Sequence, residues 1–395
     1  MELNKLIPKL AKKISIYDFS SNEYFIHQED YDHRIKISSE TYDLIKKIDG
    51  KKTLEQLNKE LNDSTNIDFL YNLLYTKLGK YGIIENNFIK IKPNEKPSYL
   101  KLSFIVIPSN FISKITPSLK FLFYPRVLKF LISLCFTIII FTVITNYNDI
   151  LKQNFGEINW IMFFCLSFLS VTFHEFGHVT ATEYFGAKQD GIGGGFYLFS
   201  PVYFADVTDI WKLKPNQRII VNLAGIYFEL LICTIYIILA LSFNFKFLMI
   251  FASVIFLRTL INLNPFLRSD GYWVLTDKLG IPNLRKVSAN LLLAFIKSII
   301  NKKQKFIYSK KNILLTLYAS VNYLVLIMFI SYVIIFNSNS VLYFPKNLYN
   351  FIKGIINGND LTLINLSVFI IPLLFYYLLF SLLKNLITKK WKKKL

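Results

Sequence analysis

The residues His174-Glu175-Phe176-Gly177-His178 close an apolar run, Trp160 to Phe173, in a chain of 395 residues with only four histidines. The run and its polar end are together long enough for a membrane helix. Ionisable groups at that depth persist only where they are paired, enclosed by protein or reached by water. The segment therefore cannot be an ordinary lipid-facing span, and its fold must turn His174, Glu175 and His178 inward. On a helix, H-E-x-x-H sets two imidazoles at i and i+4 on one face, where both can bind one zinc ion. It also places the intervening Glu as a general base. A lone core histidine is usually just hydrogen-bonded, but two with a carboxylate between them in apolar surroundings form the pattern of a hydrolytic metal site.

Composition supports the membrane setting. Hydrophobic residues make up 53% of the chain, a membrane-protein proportion. The formal charge of +20 would suggest nucleic acid in a soluble protein. Here the basic residues flank the apolar stretches, as the positive-inside bias requires, and no nucleic-acid partner is expected. Cys135, Cys165 and Cys233 all fall in apolar stretches without C-x-x-C spacing, so neither a disulfide framework nor a thiolate zinc site is indicated. Met1 to Lys13 is basic, but no signal-peptide core follows it.

The expected fold class is mainly α: a polytopic helical membrane protein of about six spans with a small N-terminal α+β domain. Residues 1–95 mix charges with short apolar runs. Tyr24-Phe25-Ile26 and Arg34-Ile35-Lys36-Ile37 alternate like strands. Helices are expected from Ser39 to about Ile48, Leu54 to Leu61 and Ile67 to Leu78, and Ile83 to Ile91 closes with strands in a winged-helix-like arrangement. Residues 96–126, broken by Pro97, Pro108, Pro117 and Pro125, read as a connector on the membrane surface or against the soluble domain. The spans, within 127–395, fall at about 127–146, 159–185, 219–242, 247–264, 313–336 and 363–383. The links 147–158, 243–246 and 337–362 are poor in Lys and Arg. The N-terminal domain, the 186–218 loop, the 278–312 segment and the Lys389–Lys394 tail are rich in them. The bias places both termini in the cytoplasm of a multi-pass protein of the cell membrane.

With the second span entering near Asn159, His174 lies roughly 22 Å into a hydrocarbon core of about 30 Å, at about 1.5 Å per residue. A catalytic zinc needs a third protein ligand. His27 and His33 lie in the soluble domain, so a carboxylate is expected. Asp270 is the best placed: Pro265 ends the fourth span, Gly271 permits a turn, and that span returns to the depth of the histidine pair. Asp190, Asp206, Asp209 and Glu183 compete for the role. Gly177 either lets two spans pack closely or admits the substrate. Glu229, in mid-span, reads as a hydrogen-bonding residue in preference to a fourth ligand. Gly191 through Gly195 is either an extended edge able to take a peptide as an added strand or a flexible loop.

The histidine motif, followed two spans later by N-P-x-x-x-x-D-G (Asn264 to Gly271), resembles the site-2 protease family of intramembrane zinc metalloproteases. The likeness is greatest to its peptide zinc metalloprotease subgroup, found with genes for ribosomally made, modified peptides. It extends through Tyr197–Tyr203, Asp206–Trp211, Asn222–Leu230 and Asn264–Asp277, so the core is about 159–280. The resemblance implies zinc held by His174, His178 and Asp270, with Glu175 as the base. It also implies a substrate or oxyanion role for Asn264. Residues Tyr24 to Ile91 resemble the PqqD-like peptide-recognition domains, through Ile37–Thr53 and the three-helix layout ending near Gly82-Ile83-Ile84. That likeness implies leader-peptide binding.

The resulting expectation is a zinc-dependent metalloendopeptidase that cleaves or matures a ribosomally made peptide precursor, with membrane lipid around it and a peptide transporter as a further candidate partner. The alternatives are a regulatory protease acting on a membrane-tethered regulator and a non-catalytic export or immunity protein. An intact Glu175 argues against the last, since binding alone needs no general base.

Overall fold

The computed structural model describes residues 3–20, 23–61, 66–85, 90–93, 100–146, 159–197, 200–300, 306–356, 369, 371–376 and 378–380. The chain divides into two compact units, Met1–Pro282 and Asn283–Leu395.

The first unit opens with an antiparallel sheet of β1 (Ile14–Ser20), β2 (Glu23–Gln28) and β3 (His33–Ser38), in that order. Period-two alternation carries these strands. The hairpin between β2 and β3 turns at Asp32, whose φ is positive. Helices α1 (Ser39–Lys47), α2 (Leu54–Glu60) and α3 (Ile67–Tyr71) follow, α3 running on as a π-helical stretch, Asn72–Leu78. Each start is capped. Ser38 Oγ accepts from Thr41 N–H, Thr53 and Gln56 form a reciprocal capping box, and Asn66 Oδ1 accepts from Asp68 N–H. Such caps contribute about 1 kcal/mol each. Ile26, Ile45, Leu54, Leu57, Leu70, Leu74 and Ile84 fill the core between sheet and helices.

This domain differs from the winged-helix-like expectation. The sheet has a third strand, β1, ahead of the two expected, because Ile14 and Ile16 alternate and pair with β2. At the far end, Ile84 makes a single bridge to Leu10, and residues 86–89 of the expected closing ribbon lie outside the described residues.

The stretch expected as a connector supplies β4 (Leu100–Ile107) and α4 (Ser109–Leu119). Strand β4 pairs with β5 (Ile192–Tyr197), which pairs with β6 (Ser200–Ala205), all antiparallel. The glycine-rich segment is therefore the central strand of a second sheet, neither an edge nor a loop. A Cβ at Gly193 would meet Phe104 O at 2.7 Å and the Phe204 ring at 2.9 Å, so the flanking strands close over it.

The helices α5 (Pro125–Thr145), α6 (Trp160–Tyr184) and α7 (Pro215–Ser242) are each long and apolar enough to cross a membrane. Helix α7 is the central one: 72% of its apolar window is buried, against 17% for α5 and 22% for α6. The span expected at 247–264 is α8 (Lys246–Asn262), a 17-residue helix packed on α7. A turn at Asn244 (positive φ) precedes it and Pro265 lies just beyond it, which limits its length. Helix α9 (Asp270–Leu279) completes the unit.

The second unit pairs α10 (Leu284–Ile300) with α11 (Lys310–Phe336), the fourth helix able to cross a membrane among the described residues, followed by α12 (Ser338–Leu342) and α13 (Phe344–Ile356). Of the expected 363–383 span, only part of a short apolar helix, Ile371–Phe380, is described.

Candidate metal centre

Helices α6 and α7 run antiparallel and meet along one face of each. His174 and His178, four residues apart on α6, oppose Glu229, Gly225 and Val221 on α7. His178 Nδ1 lies 2.8 Å from Val221 O. A carbonyl can only accept, so Nδ1 carries the proton and Nε2 presents a lone pair. His174 Nδ1 is buried without a hydrogen-bond partner and lies 3.5 Å from Glu229 Oε1. Between them stands Gly225, where a Cβ would come within 2.4 Å of His178 Nε2 and 2.5 Å of His174 Nε2.

The two Nε2 atoms are 3.0 Å apart. Asp270, the first residue of α9, faces both: Oδ2 is 3.2 Å from His174 Nε2 and Oδ1 is 3.6 Å from His178 Nε2. Its Oδ2 is buried and makes no hydrogen bond. The three residues offer donor atoms all within 4.8 Å of one another. With His178 protonated on Nδ1, its Nε2 and the Asp270 oxygens converge as acceptors with no proton between them, and His174 Nε2 joins them. A cation satisfies that arrangement, and a His, His, carboxylate set suits zinc.

Asp270 reaches this point because the chain reverses tightly after α8. Asn264 Oδ1 accepts from Phe266 N–H (2.9 Å), and Ser269 Oγ donates to Asn264 O (3.1 Å). A Cβ at Gly271 would lie 2.1 Å from Leu263 O, so only glycine fits immediately after the carboxylate. The far end of α9 is pinned to α7 through Asp277, which accepts from Arg218 Nε (2.7 Å) and Asn222 Nδ2 (2.8 Å). Arg218 also donates to Leu213 O (3.0 Å).

Glu175 is buried beside the histidines, and its Oε2 accepts Ala205 N–H at 2.7 Å. Ala205 ends β6, an edge strand of the second sheet, so the general-base candidate is tied to that edge. Gly177 serves helix packing: a Cβ there would meet Ala224 O at 2.3 Å.

The competing carboxylates are engaged elsewhere. Glu183 accepts from Ser113 (2.7 Å), Thr116 (2.5 Å) and Gln189 (3.2 Å), fastening α4 to α6. Asp209 accepts from Lys188 N–H and pairs with Lys212. Asp206 accepts from Thr208, and its backbone pairs with Asp190 and Gly191. Asn264 forms the turn described above.

Sequence reasoning singled out Glu229 but missed its partners. Arg258 and Thr259 on α8 hold it, and Arg258 is bonded in turn to Ser170 on α6. The signal was present: Arg258 and Glu229 are opposite charges set within the apolar stretches of consecutive helices, and such charges pair.

No family model and no solved structure matches the chain. It is similar to a curated protein of Bacillus subtilis (strain 168) named "Putative peptide zinc metalloprotease protein YydH". The identity is 29% over 239 residues, spanning 56% of this chain and 89% of that protein.

Proposed function

We propose that this chain is a membrane-embedded zinc metalloendopeptidase acting on a ribosomally made peptide precursor. The convergence of His174 Nε2, His178 Nε2 and Asp270 beside a Glu175 held at a strand edge carries this reading. The relative's name and the four membrane-length helices support it.

When bound to His174, His178 and Asp270, zinc supplies Lewis-acid chemistry, polarising a carbonyl and acidifying water. Glu175 takes the proton from the attacking water as the oxygen–carbon bond forms. It then gives that proton to the amide nitrogen as the carbon–nitrogen bond breaks. The hydrogen bond from Ala205 N–H fixes the carboxylate for both transfers.

Ala205 N–H points away from β5 and towards Glu175. By the period of two, Tyr203 presents its backbone groups along the same free edge. A substrate segment laid against β6 as an added strand would pass its carbonyls beside Glu175. Such a segment must be extended, because helical backbone is already hydrogen-bonded. The N-terminal domain, read as PqqD-like, would capture the leader of the precursor and deliver that segment. Asn264 would contact substrate only through its amide N–H groups, since its side-chain oxygen is committed to the turn. In this reading α8 and the 363–383 stretch also cross the membrane, giving six spans with both termini cytoplasmic.

The test uses the full chain purified in detergent, a mixed peptide library and zinc analysis, comparing the parent with Glu175→Gln. Defined cuts made by the parent and lost in the variant, with zinc retained by both, are expected. Identical cutting by both would remove Glu175 from the mechanism, and a parent without zinc would end the metal reading.

A further inference from the structure

Glu229 is almost completely buried, yet it is not placed to bind the same ion as the three ligands. Its Oε1 lies 3.5 Å from His174 Nδ1, the ring nitrogen opposite the one that faces Asp270. Two residues of α8 hold the carboxylate from the other side. Arg258 bonds Oε1 through Nε at 2.7 Å and Nη2 at 2.6 Å, and Thr259 Oγ1 donates to Oε2 at 3.0 Å. Arg258 Nη2 continues to Ser170 Oγ at 2.7 Å, one helical turn before His174. The network thus joins α6, α7 and α8 around a single imidazole.

We infer that Glu229 is the positioning residue for His174, and that Arg258 is there to hold Glu229. The inference rests on the metal reading above. A ligating imidazole needs its second nitrogen protonated and oriented by an acceptor, and a carboxylate in that place raises the basicity of the ligand. His178 receives its acceptor from a backbone carbonyl, Val221 O. His174 has no hydrogen-bond partner at Nδ1, and Glu229 is the carboxylate that faces it.

Charge explains why the acceptor brings an arginine with it. Asp270, Glu175 and Glu229 are three carboxylates around one buried point, and a divalent ion neutralises only two. Arg258 supplies the third positive charge, and its fork fixes the carboxylate in a way a lysine cannot. Removing Arg258 alone would leave the buried Glu229 uncompensated, and removing Glu229 alone would leave the partly buried Arg258 without its carboxylate.

The experiment measures zinc affinity by chelator competition, and the visible spectrum of the cobalt-substituted site, in the full chain in detergent. The parent is compared with Glu229→Gln, Arg258→Lys and the double neutral variant Glu229→Gln with Arg258→Met. His174→Ala serves as the ligand control. The double variant removes both charges together, so no uncompensated charge remains to unfold the helices. The expected result is a loss of zinc affinity of about 10–100-fold in Glu229→Gln and in the double variant, with an altered cobalt spectrum in both and, in the double variant, metal-free melting close to the parent. Arg258→Lys, which keeps the charge without the fork, should lose less affinity than either. If the double variant binds zinc as the parent does, with an unchanged spectrum, the positioning role is overturned while the metal site stands. If the parent binds no zinc, or His174→Ala loses none, the metal reading fails and this inference with it.

Discussion

Gly225 on α7 and His178 on α6 are packed so closely that a Cβ at Gly225 would lie 2.4 Å from His178 Nε2. The space beside the paired imidazoles exists only because that side chain is a hydrogen atom. His178 cannot retreat, since its Nδ1 is held by Val221 O one turn away along α7.

Gly225→Ala is therefore expected to abolish zinc retention without unfolding the chain. Zinc content of the purified variant, read beside its far-ultraviolet circular dichroism, checks this. Full zinc content in a folded variant would contradict the packing.

Gly177→Ala acts at the same helix pair but on the backbone, where the added methyl meets Ala224 O at 2.3 Å. Alanine favours the helix by about 1 kcal/mol, and overpacking of this kind costs about 1–3 kcal/mol. A net loss of stability is expected, seen as a lower midpoint of thermal unfolding in detergent.

Asp277 anchors the end of the helix that begins with Asp270. Asp277→Ala would strand Arg218, which is 1% exposed, and removing one partner of a buried pair costs about 3–5 kcal/mol. Asp277→Asn, which keeps an acceptor oxygen, should lose less. Unfolding midpoints of the two variants give the ranking, and the zinc content of whatever folds reports whether α9 still presents Asp270.

Chelation should lower the unfolding midpoint of the parent, and added zinc should restore it. An ion held only by the folded state stabilises it by about 4 kcal/mol at a thousandfold excess over Kd. His174→Ala and Asp270→Ala should respond to neither treatment.

One pH effect belongs to the N-terminal domain. Backbone N–H bonds from Lys51 and Lys52 hold the Asp49 carboxyl below its ordinary value. The folded pKa is then below the unfolded one. Its contribution is present above the unfolded value and is lost as pH falls through the folded value. Amide exchange at residues 51–52 in the full chain, corrected for intrinsic rates, should accelerate on acidification through that window. Asp49→Ala should remove the dependence.

The local order of the chain determined a good deal. The i, i+4 spacing of His174 and His178 put both rings on one helix face before any partner was known, because helix geometry is local. The proline and glycine flanking the Ser269-Asp270 pair marked a tight reversal for the same reason, and alternation alone disclosed β2 and β3. The sequence pointed to Asp270 as the carboxylate that meets the histidines, and only the tertiary structure showed how it gets there and what lies behind the rings. The sequence favoured Asp270 over Glu183 and Asp209, but what engages each of them appears only once α9 is pinned by Arg218 and α4 closes on α6. The glycines from 193 to 195 became part of a central strand because β4, more than eighty residues earlier in the chain, pairs with that strand. Glu229 and Arg258 were visible as opposite charges, but their shared task depends on three helices crossing at one ring. Long-range packing sets those relationships, and no short window of sequence contains them.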